Sequence, residues 1–148
     1  MGSEELTGRG SPKKCRKKRS LHLRIPVKPL STNKMYTGKK RRSIYYKQFS
    51  REVLQYLNEH YDCRGLALTG NLKLTMEVGV SSPLMDASNT IKAIEDVVVK
   101  WCGSWDDRQV YSLSVEKYLV AKGDEYINFS ITKLRANRDL RKKKQSKR

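Results

Sequence analysis

Apolar residues alternate with polar ones from Leu21 through Leu23 and Ile25 to Val27, the two-residue period of a strand with one buried face. Pro26 cannot donate to a ladder, so this strand is expected at a sheet edge or ends there. The period then changes. From about Phe49 to Tyr61 the positions Phe49, Val53, Tyr56, Leu57 and His60 or Tyr61 recur every three or four residues, which predicts an amphipathic helix ended near Asp62 to Gly65. Strict alternation returns in Leu72, Leu74, Met76, Val78 and Val80, a long strand that stops at Ser81-Ser82-Pro83. Ile91, Ile94, Val98 and Trp101 or Cys102 define another helical face, so a second helix is expected over residues 88 to 102, with Gly103 as its stop and Lys92 and Asp96 on its other face. Alternation from Val110 to Val120, the turn signal Gly123-Asp124 and the run Ile127, Phe129, Ile131 predict a closing hairpin. The expected order is β-α-β-α-β-β, a single α+β domain over residues 20–134 with two helices packed on a mixed sheet.

The two ends do not carry such patterns. Residues 1–19 mix Gly, Ser and Pro with the run Lys13-Lys14-Cys15-Arg16-Lys17-Lys18-Arg19, which cannot bury a core and is expected to be a disordered basic arm. Residues 135–148 hold eight Lys/Arg and one acid, a solvated basic tail. The formal charge of the whole chain is +17, and it is placed unevenly: residues 52–134 hold 8 Lys/Arg against 12 Asp/Glu, a net of −4. A compact globule so charged repels itself unless a polyanion supplies the counter-charge, which makes nucleic acid the expected partner. Three cysteines, an odd number without metal-ligand spacing, and the lack of a long apolar run predict an intracellular protein with free thiols and no membrane span; it would be cytoplasmic if the host is a bacterium or a phage. A nuclear-targeting role for the Lys13 to Arg19 run leaves the compartment open.

Inside the acidic centre, Asp86, Glu95, Asp96, Asp106 and Asp107 fall within 22 residues, with only Lys92 and Lys100 among them. A basic protein with an acidic focus suggests a cation held beside phosphates. Asp86 precedes the second helix and Asp106-Asp107 follow it, so they meet only if the chain after Gly103 folds back along the helix. In that case their carboxylates suit a hard cation such as Mg²⁺, which prefers oxygen ligands and retains water. Lys92, one turn into the helix, would then reach the scissile phosphate or the leaving oxygen. The plainer alternatives are that Asp86 or Ser88 caps the helix, that Asp106-Asp107 form an ordinary turn, and that Lys92 and Asp96 are an i, i+4 surface pair.

The stretch Asp86-Ala-Ser88-Asn89-Thr-Ile-Lys92-Ala-Ile-Glu-Asp96, followed by Trp105-Asp106-Asp107-Arg108-Gln109-Val110, resembles the signature of the RusA family of Holliday junction resolvases, D-x-D-N-x-x-K-x-x-x-D, then a helix, a glycine and D-D-x-Q-[VI]. Pro26-Val-Lys-Pro29-Leu-Ser31-Thr-Asn33-Lys-Met-Tyr36 is similar to the family's entry, P-x-x-P-x-S-x-N-x-x-Y, and the likeness spans roughly residues 23–131. The resemblance implies a homodimeric α+β nuclease that binds four-way junctions and nicks them in pairs with Mg²⁺ or Mn²⁺. By position it implies that Asp86 and Asp107 are metal-binding catalytic aspartates, that Lys92 is the catalytic lysine, and that Asn89 and Asp96 are local supports, with Asp106 able to share the metal role. One position departs from the pattern: Ser88 stands where the family often has a second catalytic aspartate, and a hydroxyl is a weaker Mg²⁺ ligand than a carboxylate. Glu77 on the preceding strand or Asp106 is then expected to substitute, unless the site works with two carboxylates and more water.

The segment Pro29 to Lys47 contains no acid and sets Lys34, Lys39, Lys40, Arg41 and Arg42 among Asn33, Tyr36, Tyr45 and Tyr46. It reads as a basic loop that contacts phosphates and stacks on splayed bases of branched DNA, with Asn33, Lys34, Tyr36, Lys39, Lys40, Arg41, Arg42 and Tyr45 as its DNA-binding set. A junction has two equivalent strands to cut, which favours a two-fold homodimer with two matched sites. Two other readings stay open: a nucleic-acid-binding module in which charge does everything and the aspartates are turns and caps, and a junction-binding protein on the nuclease fold, weak or inactive in catalysis because of Ser88.

Overall fold

The computed structural model describes residues 19–38 and 41–134. The two basic ends, apart from Arg19, and Lys39 and Lys40 lie outside the described residues. Six strands and two α-helices follow in the order β1 (Ser20–Ile25), β2 (Tyr36–Thr37), β3 (Arg41–Arg42), α1 (Ile44–His60), β4 (Leu72–Val80), α2 (Ile91–Cys102), β5 (Val110–Leu119) and β6 (Tyr126–Lys133). The fold is α+β, as the patterns predict. Its main sheet is mixed, in the order β1-β6-β4-β5, and β2 and β3 form a separate small ribbon.

The alternating positions point where the period requires. Leu21, Leu23 and Ile25 of β1, Leu74, Met76 and Val78 of β4, and Ile127, Phe129 and Ile131 of β6 are all buried. They share one core with Phe49, Val53 and Leu57 of α1 and Ala93, Ile94, Val97 and Val98 of α2. Each fully buried side chain of this size contributes roughly 1.5–3 kcal/mol against its exposed state. β4 is the central strand, and its last three residues, Val78-Gly79-Val80, are buried without alternation. Gly79 has a reason: a Cβ there would lie 2.3 Å from the ring of Tyr126, which packs across the glycine.

Two expectations are corrected. First, β5 and β6 do not form a hairpin. The turn at Gly123 exists, with φ 99°, but β4 lies between the two strands, parallel to β5 and antiparallel to β6. β4, α2 and β5 therefore make a parallel β-α-β crossover. β4 needs ladder partners on both sides, whereas β5 is exposed along most of its length and tolerates an edge. Second, the first helix begins at Ile44, not near Phe49. Ser43 caps it, accepting from the Tyr46 N–H at 3.0 Å, and its own hydroxyl donates to the Lys34 carbonyl. Tyr46 thereby joins the buried stripe of α1, and Met35, fully buried, pins the preceding segment to the core. Part of the expected basic loop is thus a folded ribbon leading into a helix. Among the described residues, no helix is long and apolar enough to cross a membrane.

Candidate active site

Gly103 ends α2 in the left-handed conformation, φ 69°, and its N–H donates to the Val99 carbonyl at 2.8 Å. The chain reverses there. Trp105 then buries its ring against Phe129, with centroids 6.2 Å apart, and this anchor carries Asp107 back to α2. Lys92 Nζ lies 3.2 Å from Asp107 Oδ2 and 3.1 Å from Asp96 Oδ1. The return along the helix, an assumption at the level of sequence, brings the two halves of the motif into contact across 15 positions.

A second cation closes the other side of Asp96. Arg42 of β3 donates from Nη2 to Asp96 Oδ2 at 3.1 Å, and its guanidinium stacks over Tyr36 at 4.9 Å and Tyr46 at 4.4 Å. Arg42, Asp96, Lys92 and Asp107 form one chain of alternating charge. Burial alone would pull the Lys92 ammonium down, but hydrogen bonds and charge from Asp96 and Asp107 outweigh it and raise its pKa. Lys92 is therefore a standing cation at neutral pH, suited to holding phosphate charge and not to acting as a base.

Asp86 takes the N-cap position of a 3-10 turn, Ala87–Thr90, that leads into α2, but its side chain makes no capping bond. It accepts from Asn89 Nδ2, at 3.4 Å, and is exposed. Asn89 is fixed in turn, because its carbonyl accepts from Thr32 Oγ1 at 3.0 Å, which ties the acidic turn to the segment before β2. Ser88 is exposed on the same turn, and the N-cap of α2 is Thr90, so Ser88 is not that cap.

The two other carboxylates expected to share the metal role already have partners in the structure. Asp106 caps the 3-10 turn Asp107–Gln109: it accepts from the Arg108 N–H at 2.9 Å, and its own N–H donates to Gln109 Oε1 at 2.8 Å. The Arg108 guanidinium and backbone hold its carboxyl far below the usual carboxylate range. Glu77 lies on the sheet face turned away from the helices, where Tyr126 Oη and Asn128 Nδ2 donate to Oε2 at 3.1 and 3.0 Å. Glu95, to which the sequence reading gave no role, is half-buried on α2 in the field of Asp107, Lys92 and Asp96. Burial first, then the charge of Asp107, pushes its pKa up to about 7. Among the described residues, no three His, Cys, Asp or Glu side chains lie close enough to hold a metal ion by themselves.

The DNA-binding set is divided by the fold. Asn33, Lys34, Tyr36, Arg41 and Tyr45 are exposed, with Lys34 Nζ 5.9 Å from the centre of the Tyr45 ring, and Tyr36 also carries the Arg42 guanidinium over its ring. Arg42 is half-exposed and already bonded to Asp96. Lys39 and Lys40 lie outside the described residues. Comparison with protein-family models and with curated proteins finds nothing that matches this chain.

Proposed function

We propose that this chain is a RusA-type, structure-specific DNA endonuclease that nicks four-way junctions and other branched DNA as a homodimer, with Mg²⁺ or Mn²⁺. The observation that carries the reading is the contact of Lys92 with Asp107, which joins the two separated parts of the motif, while Asp86, exposed and making no capping bond, stands on the turn that leads into the same helix. The donor chemistry fits a hard cation. Asp86 and Asp107 would supply carboxylate oxygens, the donors preferred by a hard cation that keeps several waters, as Mg²⁺ does. When bound, such an ion lowers the pKa of water and neutralises charge on a phosphodiester. In hydrolysis the oxygen of water bonds to phosphorus, the P–O bond to one sugar breaks, and the leaving oxygen takes a proton. Lys92 holds its ammonium against the negative charge that builds on the phosphoryl oxygens, and Asp96 with Arg42 keeps that ammonium in place.

Homodimerisation has a candidate surface in β5, the sheet edge beside β4. Tyr111, Leu113 and Leu119 on that strand are 60%, 51% and 65% exposed. Antiparallel pairing of two copies centred on Val115 would set Leu113 opposite Lys117 and Ser114 opposite Glu116, with no like charges apposed.

A second reading is favoured by Ser88 and by the lack of a three-carboxylate group among the described residues: a junction-binding protein with little or no catalysis. One experiment separates the two. Purified protein, Asp107→Asn and Ser88→Asp are incubated with a labelled four-way junction and a matched linear duplex, in Mg²⁺, in Mn²⁺ and in chelator. Symmetric metal-dependent nicks on the junction alone, absent with Asp107→Asn that still binds, are expected. Tight binding with no nicks in either metal, together with nicking by Ser88→Asp, would establish the second reading.

A further inference from the structure

A cavity of about 570 Å³ opens beside the acidic turn, walled by the segment after β1, by α1 and by the loop after β4. Asp86 and Asn89 form the side next to the candidate active site, so a ligand in the cavity touches the same turn that presents the catalytic carboxylate. The volume falls in the range of small-ligand sites. Its chemistry is mixed in a particular way. Pro29, Leu30, Phe49 and Met85 supply apolar and aromatic surface, and Gln48 and Glu52, exposed on successive turns of α1, supply an amide and a carboxylate. Lys28, Lys34 and the 59%-exposed Tyr45 stand at the rim.

A flat polar ring attached to an anionic backbone matches all three features: apolar surface for its face, hydrogen-bonding groups for its edge, and ammonium groups for the flanking phosphates. We propose that this cavity receives the base of one unstacked nucleotide, next to the phosphodiester held at Asp86, Lys92 and Asp107. The inference rests on the endonuclease reading for its position along the strand. A base leaves its stack most cheaply at a branch point, where pairing and stacking are already interrupted. The cavity therefore makes branched DNA a better substrate than linear duplex: in duplex, filling it costs the unstacking of a paired base.

Abasic substitution separates the base from the backbone. Affinities of the full-length protein and of Ser82→Trp are measured in chelator for junctions carrying either a normal nucleotide or an abasic one at each of the three positions on either side of the branch point. Ser82 is exposed and lines the cavity, so a tryptophan there fills the space without touching the core. Tyr45→Ala, on the solvent side of α1, serves as a second variant that removes rim surface without filling the cavity.

At one position the abasic junction is expected to bind the unmodified protein about tenfold more weakly, in line with the loss of one stacked base. Ser82→Trp should bind both junctions alike, and Tyr45→Ala should show a smaller difference. Equal affinity for normal and abasic junctions at every position, or a tenfold loss that persists in Ser82→Trp, overturns the proposal. Cleavage of the same junctions in Mg²⁺ keeps the two claims apart. Nicking without base dependence of binding removes the cavity's role alone, whereas base-dependent binding without nicking supports the cavity and counts against the nuclease.

Discussion

Asp96 accepts from two cations at once, Lys92 Nζ at 3.1 Å and Arg42 Nη2 at 3.1 Å, while its own side chain is 17% exposed. Replacing it with alanine removes both bonds and leaves two positive groups facing each other across the gap. A charge-assisted hydrogen bond in a buried place contributes about 1.5–3 kcal/mol, and an exposed pair about 0.2–1 kcal/mol. The Lys92 and Arg42 side chains are 45% and 36% exposed, so water replaces much of what they lose. Asp96→Ala is therefore expected to cost about 1.5 kcal/mol, a fall in Tm of about 6 °C for a domain of this size. Arg42→Ala also loses its stack on Tyr36 and Tyr46, so its single-mutant cost mixes packing with charge. A double-mutant cycle of Asp96→Ala and Arg42→Ala by urea denaturation isolates the pair, and a coupling of about 0.7 kcal/mol is expected. Coupling within the ~0.3 kcal/mol error of additivity would refute the charge chain as a structural unit.

Glu95, with its pKa pushed up from 4.5 to about 7, binds more protons in the folded chain than in the unfolded one between those values. Its contribution is a loss of stability as pH rises through that window. Glu95→Gln should flatten the decline, leaving stability unchanged at pH 4 and raising it by about 1–2 kcal/mol at pH 8 after discounting for solvent screening; urea midpoints at the two pH values check this, and an equal effect at both would remove burial of the carboxyl as the cause. On the proposed pairing through β5, the unmodified chain should sediment as a dimer and Leu113→Asp as a monomer, with little change in far-ultraviolet circular dichroism. Sedimentation velocity at micromolar concentration reads the result, and a variant that stays dimeric would place the pairing surface elsewhere.

The patterns that survive from sequence to structure are those set by local chemistry. Alternation in β1, β4 and β6 and the helical face of α2 follow directly from which side chains must leave water. Strand partners are a different matter. β5 and β6 are neighbours in the chain and both alternate, so a hairpin is the natural expectation, yet the uninterrupted burial of Val78-Gly79-Val80 marks β4 as the strand that needs company on both sides. The start of α1 was obscured because Ile44 and Tyr45 are apolar but exposed, which blurs the period just after the Ser43 cap. At the site, the contact of Lys92 with Asp107 joins residues that the sequence motif already singles out, with Asp106 expected there as a neighbour able to share the metal role. Gln109, three residues after Asp106, is the signal of a capping box and assigns Asp106 to the turn. Glu95 had no local signal, since its surroundings depend on the return of the chain after Gly103, a contact between segments distant in sequence.

The same return explains why the basic ribbon and the acidic site cannot vary independently. Arg42 reaches Asp96 only because Met35 and Ser43 hold the ribbon to the core, and Lys92 meets Asp107 only because Trp105 is seated against Phe129. Asp96 joins the two anchored pieces. A change at either cation is therefore felt by the other through one carboxylate, and no rearrangement of the sheet is required for one to register the other.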